Sequence, residues 1–271
     1  MKQKPKDLFK VLFMYLLALG TAVVVLLYAP VANTFWRTAL ADFIAMVIVF
    51  LFSVRYNNSS IYDPYWSSVP MFIVLYWLIN SGQTDFLHKV FWTMLVLWGV
   101  RLTWSWILRW DGMEDEDWRY KSIREKTGRR FWFVSFFGTY LYPTALAFVA
   151  LVPVHYAIYS TTAPHHTWIA QIAFVFTLSA ILLEKSADDQ LRSFLKLRNN
   201  KNERIQTKLW VFFKYPNYFG ETAFWWGLYF MALTINPSLW WTFFGPLAIT
   251  LHFIFIAIPI MRKHLKGKVY K

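Results

Sequence analysis

The sequence predicts an all-α fold, a polytopic transmembrane helix bundle with seven or eight spans. The chain of 271 residues is 57% hydrophobic and 16% charged, whereas a soluble domain carries about 25% charged residues. The apolar residues also run together, since no Asp, Glu, Lys or Arg occurs in 11–36, 64–84, 131–183 or 222–261. A hydrocarbon core of ~30 Å needs about 20 apolar residues per helix, so these runs predict an integral membrane protein.

The number of spans follows from the lengths of these runs. The two long runs, 131–183 and 222–261, are each long enough for two crossings. Two weaker spans lie near 38–54 and 87–108, which brings the predicted count to eight. The count falls to seven if 38–54 or 218–235 is short or re-entrant.

The placement of basic residues predicts the orientation of the chain. Four stretches, 1–10, 109–130, 184–221 and 262–271, hold 24 of the 28 Lys and Arg residues, and with eight spans all four fall on one side. Because positive charge favours the cytoplasmic side, both termini are expected to be cytoplasmic. The net charge of +13 then reflects topology and anionic lipid headgroups, so the lipid bilayer is the predicted partner and nucleic acid is not. The charged loop 109–130 is expected to form a partly helical cap.

Two polar stripes lie within or at the ends of predicted spans. Arg101 and Arg109 are eight residues apart and share one helix face. An Arg at the centre of a span costs ~2.5–3.5 kcal/mol, which favours an anion pocket, although Arg101 could instead snorkel or pair with Asp188. Glu184, Asp188 and Arg192 repeat the spacing, and they form either a second part of that pocket or a solvated helix end with an i,i+4 ion pair.

The segment KYPNYFGE at 214–221 precedes the last long apolar run. Asn217 and Glu221 are four residues apart, so they share one face of a helix that starts near Pro216. Glu221 is also explained by a favourable position in the first helical turns. Gly220 would let another backbone or a flat ligand approach closely. An amide beside a carboxylate matches the donor and acceptor groups of a carboxamide, which suggests a nicotinamide.

Several classes of site are excluded or weak. The chain has no Cys, so thiolate metal sites and Cys nucleophiles are impossible. It has no G-x-G-x-x-G motif, so a bound nucleotide is not held by a Rossmann loop. His165 and His166 have no third ligand at a suitable spacing, and no metal site is predicted.

The segment Tyr-Pro-Asn-Tyr-Phe-Gly-Glu at 215–221 resembles the C-terminal signature of the steroid 5-alpha-reductase superfamily, and most closely its bacterial membrane branch. Further segments match in the same order: 63–66, 98–104, 116–120, 188–191 and 225–229. The resemblance covers 61–262 of a single membrane domain spanning 1–271, with additional N-terminal spans in 1–60.

This resemblance implies an NADPH-dependent membrane reductase that saturates an activated C=C bond of a lipid or steroid-like substrate, located in the cytoplasmic membrane of a bacterium. It implies a cofactor pocket at the cytoplasmic helix ends, where Asn217 and Glu221 hold the nicotinamide carboxamide. Asp188 and Arg192 would contact the ribose and phosphates. The same role is expected of three further cations: Arg101, Arg109 and Lys214.

The candidate catalytic and substrate-binding residues lie within the matched segments. Glu221 and Tyr218 are the candidate catalytic residues, with Tyr65 as the other candidate proton donor. Trp66 and Trp98 are expected to contact the hydrophobic substrate.

Two other functions remain open. The first is an S-adenosylmethionine-dependent membrane methyltransferase similar to the isoprenylcysteine carboxyl methyltransferases, although these need a Glu-Glu pair where this chain has Met261-Arg262. The second is a catalytically inactive, lipid-binding relative. It is suggested by Lys214-Tyr215, which stand where the superfamily has Arg-His, because Lys does not reproduce the bidentate phosphate contacts of Arg.

Overall fold

The computed structural model of the protein describes residues 3–161, 167–198, 203 and 205–269, and these contain α-helices, 3₁₀ turns and π turns but no strand. The α-helices in chain order are α1 (Lys4–Tyr28), α2 (Thr34–Tyr56), α3 (Asp63–Ser81), α4 (Phe86–Arg109), α5 (Trp118–Thr127), α6 (Phe131–Ser135), α7 (Tyr142–Ala150), α8 (Val152–Ile158), α9 (Thr167–Leu197), α10 (Leu209–Phe212), α11 (Pro216–Ile235), α12 (Phe244–His252) and α13 (Ile258–Val269).

Six helical stretches are long and apolar enough to cross a membrane, which confirms the predicted all-α membrane protein. They are Lys4–Tyr28, Thr34–Tyr56, Phe86–Arg109, Trp118–Ala150, Trp168–Leu197 and Pro237–Leu265. Helices α3 and α11 have 19 and 20 residues and coincide with two further predicted spans. Both begin with polar residues, which lowers their mean hydropathy, and they are not among the six. The count of seven or eight spans therefore stays a prediction.

Local signals in the sequence set the helix ends. The side chain of Asn33 accepts a hydrogen bond from Trp36 N at 3.2 Å and caps the start of α2. Asn57, with φ of 52°, ends the same helix in the left-handed conformation that Asn tolerates well. Asp117 caps α5 by accepting from Arg119 N at 2.9 Å.

Two of the membrane-length stretches contain a π turn. Phe136–Leu141 lies between α6 and α7, and Phe253–Ala257 lies between α12 and α13. A π turn adds a residue to the helical repeat, so the side chains on either side of it change face. The chain stays helical through both turns because each is flanked by right-handed helical residues.

The chain divides into two compact units, each described here by itself. Unit 1 comprises Met1–Gly82 and Leu95–Phe148, and unit 2 comprises Gln83–Met94 and Val149–Lys271. The boundary between Met94 and Leu95 falls inside α4. The single membrane domain over 1–271 stays a prediction.

The core of unit 1 forms where α1 packs on α2. Small and flexible side chains, among them Ala18, Ala45 and Met46, are buried there. Aromatic rings extend this core: Tyr62 and Tyr65 stack with centroids 5.5 Å apart. These contacts bury one stripe of α1, while its other side chains, such as Leu16, stay exposed, as a lipid-facing helix requires.

The core of unit 2 forms where α9 and α11 cross as an antiparallel pair. A Cβ atom on Gly220 would lie 2.7 Å from Glu184 Cβ, and a Cβ atom on Gly227 would lie 2.3 Å from Thr177 Oγ1. Both glycines therefore allow a helix approach that any larger residue would block. The close approach expected at Gly220 is that of a helix backbone.

The loop 109–130 is partly helical, as predicted, and is fastened to unit 1 by buried polar contacts. The side-chain amide of Asn58 donates to Met113 O at 2.7 Å and to Asp115 O at 2.9 Å. Arg124 donates to Glu116 Oε1 at 2.9 Å. We call residues 110–127 the cap segment.

Candidate functional site

The first two turns of α11 carry the predicted nicotinamide-binding residues on one face. Glu221 is buried, and its Oε1 accepts a hydrogen bond from Trp225 Nε1 at 2.8 Å. Asn217 lies one turn before Glu221 on the same face. The carboxylate is thus oriented by a rigid neighbour, and a carboxylate has further acceptor capacity beyond one such bond.

Asn217 presents a buried acceptor. Its Oδ1 is enclosed, and no other described residue donates a hydrogen bond to it. A buried polar atom without a partner costs about 1–3 kcal/mol, so folded proteins rarely keep one without a ligand, an ion or a water to satisfy it. A ligand N–H group would satisfy this oxygen.

The antiparallel register between α9 and α11 places Asp188 near Asn217. Gly220 lies opposite Glu184 and Gly227 lies opposite Thr177. Continuing this register by three residues places Asn217 level with Ala187, next to Asp188. The register therefore puts Asp188, Asn217 and Glu221 at one end of the crossing, and their role in binding a cofactor stays a prediction.

Arg192 lies one turn further along α9. Its Nη2 atom is 3.9 Å from Asp189 Oδ1. Asp189 also accepts from Lys185 at 2.7 Å. This end of α9 therefore carries ion-paired charges, and the contacts of Asp188 and Arg192 with a cofactor stay a prediction.

The short helix α10 fastens the chain before α11 to the end of α9. Trp210 Nε1 donates to Ala187 O at 3.2 Å, and Leu209 N donates to Gln190 Oε1 at 3.2 Å. Lys214 follows α10 and is exposed. Its ammonium group is therefore available to an anion that approaches this end of the α9–α11 pair.

Tyr218 is held among aromatic rings in unit 2. Its ring centroid lies 5.6 Å from that of Tyr215 and 4.9 Å from that of Phe253. This packing limits the rotation of the Tyr218 ring. A catalytic role for Tyr218 stays a prediction.

Arg101 and Arg109 belong to unit 1, and their predicted place in the cofactor site stays a prediction. Both lie on α4, where Arg101 is half-buried and Arg109 is exposed. Arg109 Nε donates to the main-chain oxygen of Ser105 at 3.2 Å.

The two tryptophans expected to contact substrate pack on each other in unit 1. The ring centroids of Trp66 and Trp98 are 5.9 Å apart with an interplanar angle of 63°. Trp98 is fully buried. Substrate binding by this pair stays a prediction, because within the described part of the chain neither ring lines the cavity of unit 1.

Unit 1 contains an apolar cavity of about 740 Å³, a size within the ~300–1,000 Å³ range of ligand pockets. Residues of α1, α2, α3 and α4 line it, and most are aliphatic. The sequence analysis did not predict this cavity, because its walls come from segments far apart in the chain.

The carboxyl group of Asp42 borders this cavity. Tyr65 donates its phenolic O–H to Asp42, with the hydroxyl oxygen 2.7 Å from both Oδ1 and the main-chain oxygen. Both residues are nearly inaccessible. Asp42 was missed by the sequence analysis, although a lone acid inside a predicted span such as 38–54 is a signal for a functional residue.

A charged cluster joins the cap segment to the start of α3. The hydroxyl of Tyr120 donates to Asp63 Oδ1, and Arg119 Nη2 lies 3.3 Å from Asp63 Oδ2. Arg119 Nε also donates to Asp117 Oδ1 at 2.8 Å. Burial alone would raise the pKa of Asp117, but the charge of Arg119 and its hydrogen bonds hold that pKa below its ordinary value.

No three His, Asp or Glu side chains among the described residues converge as metal ligands would. His165 and His166 lie outside the described residues.

Comparison with known proteins supplies one match. The family described as protein of unknown function, DUF1295, matches residues 49–271. No curated protein and no solved structure matches the chain. The match begins within α2 and includes both the Asn217–Glu221 face and Tyr65. The chain is therefore a member of the DUF1295 family.

Proposed function

We propose that the protein is an NADPH-dependent membrane reductase that saturates an activated C=C bond of a lipid or steroid-like substrate. The observation that carries the proposal is the buried Asn217 Oδ1, without a partner among the described residues, one turn from the oriented Glu221 carboxylate. The resemblance of 215–221 to the steroid 5-alpha-reductase signature suggests the identity of the cofactor.

The residues of unit 2 fit the polar groups of NADPH. The N–H₂ group of the carboxamide would donate to Asn217 Oδ1 and to Glu221. Because both of these protein groups are acceptors, they would favour a carboxamide over a ligand group that only accepts hydrogen bonds. Arg192 and Lys214 would neutralise phosphate charge, and Asp188 would accept from ribose hydroxyls. Arg101 and Arg109 remain candidates for phosphate contacts on the resemblance alone.

The chemistry needs a hydride, a proton and a polarised carbonyl. When bound, NADPH supplies the hydride that adds to the β-carbon of the conjugated C=C bond. The protein's own part is to fix the plane of the carboxamide through Asn217 and Glu221 and to polarise the substrate carbonyl with a hydrogen-bond donor. Tyr218 and Tyr65 remain the two candidate donors: Tyr218 follows Asn217 directly in unit 2, whereas the O–H of Tyr65 is donated to Asp42 in unit 1.

The proposal places the protein in a cytoplasmic membrane with both termini in the cytoplasm. The basic stretches at 1–10 and 262–271 support this orientation by the positive-inside rule. The apolar cavity of unit 1 supports a hydrophobic substrate that enters from the bilayer.

Ligand-dependent thermal stability of the detergent-purified protein tests the cofactor. A ligand that binds the native state contributes ~2.7 kcal/mol at one hundred times its dissociation constant. We expect NADPH to raise the unfolding midpoint, and Asn217→Ala and Glu221→Gln to abolish or greatly reduce that rise. Because no described residue donates to the buried Asn217 Oδ1, Asn217→Ala should not lower the midpoint of the unliganded protein, and loss of the unsatisfied oxygen should raise it. The exposed Phe219 supplies a control, since Phe219→Tyr should keep the full NADPH response.

The same assay distinguishes the other hypotheses. A rise with S-adenosylmethionine and none with NADPH would overturn the reductase in favour of a methyltransferase. No rise with NADPH, NADH or S-adenosylmethionine would instead support a catalytically inactive relative. Lys214→Arg combined with Tyr215→His would then test whether the superfamily residues restore cofactor binding.

A further inference from the structure

The cavity of unit 1 is long and narrow. Its lining on α1 runs from Leu8 to Leu27, and its lining on α3 runs from Pro64 to Ile79. At 1.5 Å per residue these stretches are about 28 Å and about 22 Å long. Two helices therefore follow the cavity over most of the ~30 Å thickness of a hydrocarbon core.

The width of the cavity follows from its volume. A volume of about 740 Å³ spread over a length of about 28 Å gives a mean cross-section of roughly 26 Å². Carbon atoms in contact are about 4 Å apart, so one hydrocarbon chain has a cross-section of roughly 15–20 Å². The cavity therefore has room for at least one hydrocarbon chain along its whole length, whereas a fused-ring lipid, which is shorter than the cavity, would leave part of that length unfilled.

The cavity opens along its side. Several of the side chains that line it are also exposed, with relative exposures of 58% for Leu16, 66% for Leu27 and 73% for Ile79. Helix α1 is one of the six membrane-length stretches, so this opening faces acyl chains. A lipid chain can enter from the bilayer without crossing water.

The Asp42 carboxyl group, with Tyr65 bonded to it, lies toward the Leu8 end of the cavity. The ring centroids of Tyr15 and Tyr65 are 6.4 Å apart, which places the Tyr65–Asp42 pair near the level of Tyr15. The hydroxyl groups of Tyr15 and Ser68 already donate to main-chain oxygens. Within the described residues, Tyr65 is the one hydrogen-bonding partner of the Asp42 carboxyl, so this group keeps capacity for a ligand's polar end.

The remaining length sets the size of the ligand. From Tyr15 to Leu27 the cavity follows α1 for about 18 Å. An extended hydrocarbon chain advances roughly 1.3 Å along its axis for each C–C bond of ~1.52 Å, so about 14 carbon atoms span this length of the cavity. A chain of this length is that of a membrane acyl group or of a short isoprenoid.

We propose that this cavity binds a long hydrocarbon chain, acyl or isoprenoid, whose hydroxyl end donates a hydrogen bond to the Asp42 carboxylate. The statement that this chain is the reductase's substrate rests on the proposed function. The statement that the cavity binds such a chain does not depend on NADPH. It narrows the lipid or steroid-like substrate to a linear one.

Saturation binding to the purified full chain, without NADPH, tests the inference. The probes are radiolabelled 1-hexadecanol for the acyl class, geranylgeraniol for the isoprenoid class and cholesterol for the fused-ring class. At least one linear probe should bind at least tenfold more tightly than cholesterol, and the tighter of the two identifies the source. Asp42→Leu should weaken the linear probe about tenfold, whereas Asp42→Asn, which keeps hydrogen-bonding groups, should weaken it less.

A chain-length series tests the position of the chain. Ala22 lines the cavity, so Ala22→Phe should shorten the preferred alcohol from hexadecanol toward decanol, and Leu17→Phe, at an exposed position outside the lining, should not. Val23→Trp repeats the obstruction if Ala22→Phe does not fold.

Two outcomes overturn the inference: tighter binding of cholesterol than of either linear probe, or an unchanged chain-length preference in the obstructed variants. Binding of a linear probe without any NADPH response would support the cavity assignment and refute the reductase, so the two proposals fail separately.

Discussion

The indole N–H of Trp225 donates to Oε1 of Glu221 at 2.8 Å, and Trp225 lies one turn after Glu221 on α11. Both residues are buried, with relative exposures of 1% and 5%. A hydrogen bond to a charged acceptor contributes more than one between neutral groups. Trp225 thus orients the carboxylate that is predicted to contact a nicotinamide.

Removing this donor should weaken both the fold and the cofactor site. We expect Trp225→Phe to lower the free energy of unfolding by about 1.5–3 kcal/mol, since the hydrogen bond to a charged group is lost. The affinity for NADPH should fall about tenfold because the carboxylate is no longer oriented. Thermal unfolding and NADPH titration of the purified protein measure the two effects.

The neighbouring tryptophan supplies the matched control. Trp226 Nε1 donates to the neutral hydroxyl of Thr250 at 3.0 Å, so Trp226→Phe should cost about 0.5–1.5 kcal/mol and leave the affinity for NADPH unchanged. Equal losses of affinity in the two variants would show that Trp225 acts through general packing and not through Glu221.

Gly220 should tolerate no side chain. Gly220→Ala would put a Cβ atom 2.7 Å from Glu184 Cβ and 2.9 Å from Glu184 N, and main-chain atoms cannot move aside cheaply. We expect overpacking to destabilise the protein by about 1–3 kcal/mol. Gly20→Ala is the control, because a Cβ there meets nothing within 4 Å, and the exchange should be neutral or stabilising. Comparison of the two unfolding midpoints checks the prediction; similar midpoints would contradict the close helix crossing.

The sequence predicts those parts of the structure that depend on local patterns. Runs without charge give the membrane-length helices because the bilayer requires about 20 apolar residues in a row. The i,i+4 spacing of Asn217 and Glu221 gives their shared face because the helical repeat is fixed. The charge density of 109–130 likewise indicates that this segment lies outside the apolar spans.

Features that depend on contacts between distant segments could not be predicted in this way. Asp42 and Tyr65 are 23 residues apart, and no helical periodicity relates them. The cavity beside them arises because α1, α2, α3 and α4 leave a gap, which depends on side-chain volumes on four segments. The mutual packing of Trp66 and Trp98, whose ring centroids are 5.9 Å apart, likewise joins segments 32 residues apart, and no local pattern relates them.

The cap segment should depend on Arg124. Its Nη2 donates to Glu116 Oε1 at 2.9 Å, its Nη1 donates to Asn57 Oδ1 at 2.9 Å, and its guanidinium lies 3.8 Å from the ring centroid of Phe131. We expect Arg124→Met, which keeps the packing but removes the donors, to leave the buried Glu116 without a cation and to cost about 1–3 kcal/mol.

Hydrogen exchange measured by mass spectrometry reports this loss directly. Amides of the cap segment should exchange faster in Arg124→Met than in the wild type, while amides of α9 should be unaffected. Lys121→Met removes an exposed cation from the same helix and should leave exchange unchanged. Equal acceleration in both variants would mean that total charge, and not the Arg124 contacts, holds the cap segment.

Asp117 should make the stability of the cap segment depend on pH at the acidic end. The pKa of Asp117 is held below its ordinary value despite burial, because Arg119 supplies a neighbouring charge and hydrogen bonds. A depressed carboxyl pKa contributes stability that is fully present above the unfolded value of ~3.9 and is lost as the pH falls through the folded value. Asp117→Asn keeps the α5 cap, since Asn and Asp cap helices about equally well, and removes the charge. The wild type should therefore unfold at a higher temperature than Asp117→Asn at pH 7, and the difference should shrink toward zero as the pH is lowered from 4 toward ~2–3.

Asp111→Asn, at a side chain that is 83% exposed, should stay close to the wild type throughout. A difference for Asp117→Asn that persists unchanged at the lowest pH would show that the carboxylate charge is not what stabilises this corner of unit 1.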